Sequence, residues 1–343
     1  MKEEIQIILE TTEKILQKNI NHQLRQNINK NNNDIINLWN ELEELGLPKI
    51  VVKEKYDGFK LGFASVLPII QLSNSLGTPI PLSETILCNY ILSESDIKPP
   101  EGMITFANIA KNIKISGNEL SGELISVPFL NLTDKIMFIT KIEGVEKVVF
   151  LENSNLDMEE KKNFLAEPRF NLNLKNNKII DIKTLNPKIN FNKLGAILRS
   201  AQMIGSMEKI LNLSINYCSQ RKQFGRPLSK FQAIQHQISE MAVELSASSA
   251  ALSTISSSED LSKNVYDIAI LKIRTGIAAG KIIAISHQVH GAIGFTKEYE
   301  LSYFTKNLNS WRNDFGNESY WEEILGKDFL ENSNNNLWEY LTY

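Results

Sequence analysis

The period of the apolar residues changes twice along the chain, and this limits the folds open to it. Up to about residue 95 apolar positions recur at helical spacing, as in Ile5, Ile8 and Leu9, then Ile15 and Leu16. Asp34 to Leu45 carries Ile35, Leu38, Leu42 and Leu45 on one face and stops at Gly46. Leu61 to Leu76 and Leu82 to Leu92 predict two more helices, separated by Gly77, Pro79 and Pro81. After Pro99 and Pro100 the pattern turns to short β-branched and aromatic runs: "MITFANI", "IKISG", "ELISVPF", "KIMFIT", "KVVFLE" and "KIIDIKT". Divided by Asn, Gly and Asp turns, they predict a compact β domain of about six strands or more.

From about Phe191 the helical period returns. Leu194, Ile197, Leu198, Ala201, Ile204, Met207, Leu211 and Ser214 line one face of a helix that reaches Arg221. At about 1.5 Å per residue it spans about 45 Å. Ala201 and Gly205 are small enough to admit a neighbouring helix closely. A second long helix is expected from Ser229 to about Ser256 and a third from Asp260 to about His290, with a shorter segment from about Tyr299. The predicted fold is α+β and mostly α: an N-terminal helical domain (1–100), a middle β-barrel-like domain (101–188) and a C-terminal four-helix bundle (189–343). The asparagine-rich stretches at 27–33 and 332–336 read as exposed loops.

Of the 343 residues, 42% are apolar and 22% charged, enough for two or three cores in an ordinary globular protein. A net charge of -3 and a pI near 6.0 supply no basic stripe, which excludes nucleic acid as an expected partner. Cys88 and Cys218 have neither CxxC nor metal spacing, as in a reduced, cytoplasmic setting. "MKEEIQIILETTEK" lacks the character of a leader peptide, and no window approaches the roughly 20 apolar residues of a membrane span. A soluble intracellular protein is expected.

Three stretches carry chemistry. "RKQFGRPLSKFQAIQH" joins two long helices, yet a plain turn needs only its breakers Gly225 and Pro227. Arg221 offers a planar fork for a phosphate or carboxylate, beside Gln223. Phe224 either covers an aromatic ring or fills the end of the bundle. A basic helix terminus with a Gly/Pro stop accounts for the same residues without a ligand. In "SHQVHGAIGFTKEYEL", His287 and His290 share a helix face, but no third ligand accompanies them, so no metal is expected. Gly291 and Gly294 permit close approach of a ligand beside Gln288, or simply cap the helix. In "WRNDFGNESYWEEILGKDFL", Asp314 precedes a turn and is either a base or a cap. Neither a GxSxG elbow nor a P-loop occurs.

In this order and spacing the three stretches resemble the acyl-CoA dehydrogenase family. The first matches R-x-x-F-G-x-P-L-x-x-F-Q-x-x-Q almost residue for residue; the second matches Q-x-x-G-G-x-G-(Y/F)-x-x-E with Ala292 for the second glycine. The resemblance implies that Arg221, Gln223, Phe224, Gln288, Gly291 and Gly294, with Gln232 nearby, hold the pyrophosphate and adenosine end of a neighbouring subunit's FAD. It also implies α,β-dehydrogenation of an acyl-CoA, tetramers, and electron transfer to a flavoprotein carrier.

The family's catalytic carboxylate is missing here. Its usual seat, the glutamate of a Y-E-G-T turn, falls on Phe315, and a phenyl ring accepts no proton. The alternative seat, about 26 residues before Arg221 by helix register, is Gly195, followed by Ala196 where an arginine is usual. In the β domain nothing near "ITFANIAKN" matches T-E-x-x-x-G-S-D, and Val127–Pro128–Phe129 replace W-I-T. The pattern resembles the smaller, catalytically incomplete subunits of heteromeric acyl-CoA dehydrogenases. In those complexes a same-fold partner supplies the base, FAD is shared, and bulky acyl groups such as steroid side chains are often handled. Two rivals stand beside this: a self-sufficient homo-oligomer with Asp314 as displaced base, and a structural subunit that binds no flavin.

Overall fold

In the computed structural model, which describes residues 2–29, 32–153, 157–161, 166–256, 265–332 and 338, each change of period becomes a change of architecture. The N-terminal helices are α1 (Lys2–Asn19), α2 (His22–Gln26), α3 (Asn33–Glu44), α4 (Leu67–Ser75) and α5 (Leu82–Glu94). Asn32 starts α3 by accepting the Asp34 amide on its side chain. Gly46, at φ 77°, turns the chain just beyond its end. Ile35, Leu38 and Leu42 of α3 are buried as their spacing requires. α5 is buried on nearly every side, because sheet and bundle cover what the helix would otherwise show to water.

Seven strands follow: β1 (Ile104–Ala107), β2 (Ile109–Ser116), β3 (Glu119–Pro128), β4 (Lys135–Ile142), β5 (Val145–Glu152), β6 (Asp157–Glu160) and β7 (Arg169–Thr184). Their order is β1-β4-β5-β7-β3-β2, with β6 also on β7. β7 holds the sheet together: its first half pairs with β3 and β6, its last residues with β5. Leu124, Ile136, Phe138, Val149 and Leu172 therefore meet in one core inside a curled sheet. The expected strand "KIIDIKT" is only the end of β7. Its beginning alternates Phe170, Leu172 and Leu174, all inward, with outward asparagines.

The C-terminal region contains α6 (Phe191–Gln220), a hairpin of β8 (Lys222–Gln223) and β9 (Arg226–Pro227), α7 (Gln232–Ser256), α8 (Val265–His290), α9 (Leu301–Trp311) and α10 (Glu318–Asn332). Asn190 caps α6 by accepting the Lys193 amide. α7 begins at Gln232, not Ser229, because Leu228–Lys230 forms a 3-10 turn and Phe231 is extended. The short segment expected after Tyr299 is two helices, α9 and α10, divided by the turn that carries Asp314 and Phe315. The expected helix start at Asp260 and most of the 332–336 stretch lie outside the described residues. Among the described residues no helix is long and apolar enough to cross a membrane.

α6 is the axis of the molecule, packed by α4, α7, α8 and α9. At Gly205 it meets α4 so closely that an added Cβ would collide with the Gln71 carbonyl. Gly205→Val should therefore push α4 off α6 and cost about 1–3 kcal/mol, read as a lowered urea midpoint with the slope unchanged.

Candidate functional site

The hairpin between α6 and α7 is built around two left-handed residues, Phe224 at φ 52° and Gly225 at φ 81°. Positive φ at both central positions suits a two-residue hairpin. Glycine adopts it freely; phenylalanine does so only under strain. The strained residue is also the most exposed of the large apolar ones, at 90%. Phe224 therefore does not fill the end of the bundle. Its ring meets Phe231 edge-on at 6.2 Å, and the Arg226 guanidinium lies 4.2 Å from the Phe231 ring centre. Arg221, Gln223 and Gln232 are exposed alongside.

α6 and α8 run in the same direction, so their C-termini share one end of the bundle, where Tyr217 of α6 stacks on His290 of α8 at 4.5 Å. This brings the two motifs together. Gln288 is exposed on the last turn of α8, and Gly291, at φ 64°, opens a 3-10 turn with free space where a Cβ would stand. Gly294 serves a different purpose: it is buried, and a Cβ there would press on His290 and Leu301 at 3.1 Å. The side chains of Arg221, Gln223, Gln232 and Gln288 make no hydrogen bond or ion pair with other described residues. An exposed guanidinium, three free amides, a raised aromatic ring and an open glycine fit an anionic, aromatic cofactor such as FAD. The two histidines are occupied otherwise. His287 stacks on Phe295 at 4.2 Å, and His290 donates from Nδ1 to the Ser286 carbonyl. Among the described residues no cluster of three or more His, Cys, Asp or Glu could hold a metal.

The other end of α6 is closed. Phe315, at φ 57° and 1% exposed, lays its ring directly over Gly195, where any side chain would collide with it. Phe106 of β1 and Phe191 of α6 flank the same ring at 5.5 and 5.2 Å. The two seats at which the sequence places a catalytic carboxylate are thus one spot in space, filled by aromatic carbon. Asp314, one residue earlier, points into a buried ionic network. Its Oδ2 accepts from Arg169 Nη2 at 2.7 Å and lies 3.0 Å from Arg199 Nε. Arg199, fully buried, donates from Nη1 to Glu84 and Gln202 at 2.6 Å each, between the rings of Phe106 and Trp311. Glu167 contacts Arg169 Nε at 2.5 Å and accepts from Trp311 Nε1 at 3.0 Å. Lys272 donates to the Trp311 and Arg312 carbonyls at the end of α9.

Burial governs how these groups titrate. It would raise the Asp314 carboxyl, but Arg169 and then Arg199 overcome it and hold the group below the usual carboxylate range. Burial pushes Glu84 up against the pull of Arg199, and pushes Lys272 down to about 8. Beside the network lies a chamber of about 10 Å³, bordered by Glu84, Phe129, Gln202 and Tyr303, with room for no more than a water. The clefts of 510 and 550 Å³ open elsewhere, around His22 and Arg25, and neither is lined by Gly195 or Phe315. The charged members of the network other than Asp314 were not anticipated from the sequence.

Residues 190–327 match the family model for the acyl-CoA dehydrogenase C-terminal domain. Glutaryl-CoA dehydrogenase of Desulfococcus multivorans is 29% identical over 144 residues, which is 41% of this chain and 36% of that protein. The chain thus matches about a third of that relative's length. Acyl-CoA dehydrogenase IpdE2 of Mycolicibacterium smegmatis is 22% identical over 280 residues, 80% of this chain and 81% of that protein. A chain of the ChsE4-ChsE5 complex from Mycobacterium tuberculosis superposes with a TM-score of 0.85 at 14% identity, over 95% of this chain and 97% of that one. That likeness is one of fold, and it extends through all three regions.

Asp314→Asn should cost about 3–5 kcal/mol in chemical denaturation, because it leaves two buried arginines short of a counter-charge. The native carboxyl titrates below its ordinary value of 3.8, so its contribution is present above that value and lost as pH falls through the native one. The variant should accordingly show a flatter acid limb in a plot of stability against pH.

Proposed function

Through residues 190–327 the chain belongs to the acyl-CoA dehydrogenase family, and on that premise we propose that it is a catalytically incomplete subunit of a two-chain acyl-CoA dehydrogenase. Arg221, Gln223, Phe224, Gln288 and Gly291 hold the pyrophosphate and adenosine end of an FAD whose ring lies in a partner of the same fold. Gln232 stands nearby, and Gly294 shapes the turn that presents Gly291. The complex carries out α,β-dehydrogenation of an acyl-CoA thioester and passes electrons to an electron-transferring flavoprotein. Bound FAD supplies the hydride acceptor, and the partner supplies the base.

One observation carries this: the chain keeps the cofactor-facing groups at one end of α6 free and fills the place for a base at the other. Gly195 and Arg221 are separated along the helix by about 39 Å at about 1.5 Å per residue, so the two ends serve different cofactors. At the hairpin end every element is ready for an anionic ligand. The Arg221 fork suits pyrophosphate oxygens, the Phe224 ring suits an adenine face, and Gly291 lets backbone approach the ligand. At the other end Phe315 and Gly195 exclude a base. Asp314 is a poor replacement, since two arginines hold it ionised by contacts that a proton would break. This counts against the self-sufficient homo-oligomer. The ChsE4-ChsE5 complex, one chain of which shares this fold, is in keeping with a partnered assembly.

The test is FAD per chain, measured by absorbance on the purified chain alone and on its complex with a same-fold partner. The expected result is no flavin on the isolated chain and stoichiometric flavin in the complex, with Arg221→Ala lowering retention about tenfold or more, as loss of a charge-assisted pyrophosphate contact would. One FAD per chain without a partner overturns the proposal. Flavin content indifferent to Arg221→Ala favours a structural subunit that binds no flavin.

A further inference from the structure

The two motifs at the hairpin end sit on different helices, and both must keep their relative position for either to be useful. One buried side chain joins them. His290, 4% exposed, is the last residue of α8 and directly precedes Gly291. Its ring stacks on Tyr217 with an interplanar angle of 27°. Tyr217 lies in the last turn of α6, and its carbonyl accepts the Arg221 amide at 2.8 Å. The residue that stacks on His290 is thus also the one whose backbone holds the start of the hairpin. On the other side, Gly294 folds back to leave 3.1 Å between its would-be Cβ and that of His290. The 3-10 turn from Gly291 to Phe295 thus packs against the His290 Cβ, and Tyr299 just beyond it bonds the imidazole.

The orientation of the ring is fixed at both nitrogens. Nδ1 lies 2.7 Å from the Ser286 carbonyl, so it carries the proton and donates. Nε2 is then the acceptor for the Tyr299 hydroxyl at 3.2 Å. Tyr299 also meets Tyr217 edge-on at 6.3 Å, which closes a cluster of three rings. No other part of the proposed function uses this histidine.

We propose that His290 is a positioning residue that holds the Arg221–Phe224 hairpin and the Gly291–Phe295 turn in one register. Its value for cofactor binding rests on the flavin reading above; the coupling itself does not.

Amide hydrogen exchange on the full chain tests it. In His290→Ala the amides of Arg221 and Leu228 in the hairpin should lose protection about tenfold, together with those of the 291–295 turn, while β5 in the sheet keeps its protection. His290→Phe, which keeps a ring over Tyr217, should restore the hairpin. Unchanged hairpin protection in His290→Ala overturns the proposal, as does an equal loss in His290→Phe. Should β5 lose protection too, Tyr217→Leu decides from the opposite side, because coupling is reciprocal. Loosening of the 291–295 turn by that change supports the proposal, and a turn left as before overturns it. Flavin content of the complex, read beside Arg221→Ala, keeps the two ideas separate: coupled exchange with flavin indifferent to Arg221 would sink the flavin reading alone.

Discussion

Arg199 lies at the centre of the fold, with no exposed surface and three carboxylates around it. A guanidinium taken out of water is costly unless its donors are met and its charge is answered. Here the charge is answered from every region of the chain: Glu84 on α5, Glu167 just before β7, and Asp314 on the turn between α9 and α10. Arg169 of β7 and Lys272 of α8 balance those three acids in turn. The relative placement of helical layer, sheet and bundle is thereby specified by charge as well as by packing, since sliding any one of them strands an ion. Apolar contacts tolerate small slips; a buried ion held from three sides does not.

The network also explains the division of the molecule into a closed end and an open one. Asp314 is anchored by two arginines, and the following residue, held in a left-handed conformation, swings its phenyl ring over Gly195. Everything about that end favours a dry, static interior. The hairpin end spends conformational strain in the opposite direction and keeps an aromatic ring in water. That arrangement is the one the proposed two-chain reading would cover with a bound cofactor.

Architecture was legible in the sequence because it is written in period. The switch at Pro99–Pro100 and the return near Phe191 fall within a few residues of where sheet and bundle begin. The motif residues at the hairpin end stand out in the sequence for a related reason: "RKQFGRP" is out of proportion to the turn it makes. The first half of β7 escaped because its inward Phe170, Leu172 and Leu174 alternate with asparagines, which resemble a loop by composition. The ionic network escaped for a deeper reason. Arg199 and Glu84 are separated by 115 positions in the chain, and nothing local distinguishes a paired buried charge from a surface one. Gly294 shows the converse, a motif glycine whose smallness serves its own chain's packing.

The fit of Phe315 against Gly195 has a consequence in evolutionary time. A carboxylate returned at position 315 alone would be an unpaired charge among Phe106 and Phe191. One returned at position 195 alone would meet the phenyl ring. Each single step back toward a carboxylate at this spot is therefore opposed by aromatic side chains already in place. On the two-chain reading proposed above, dependence on a second chain would then persist even where it no longer conferred an advantage.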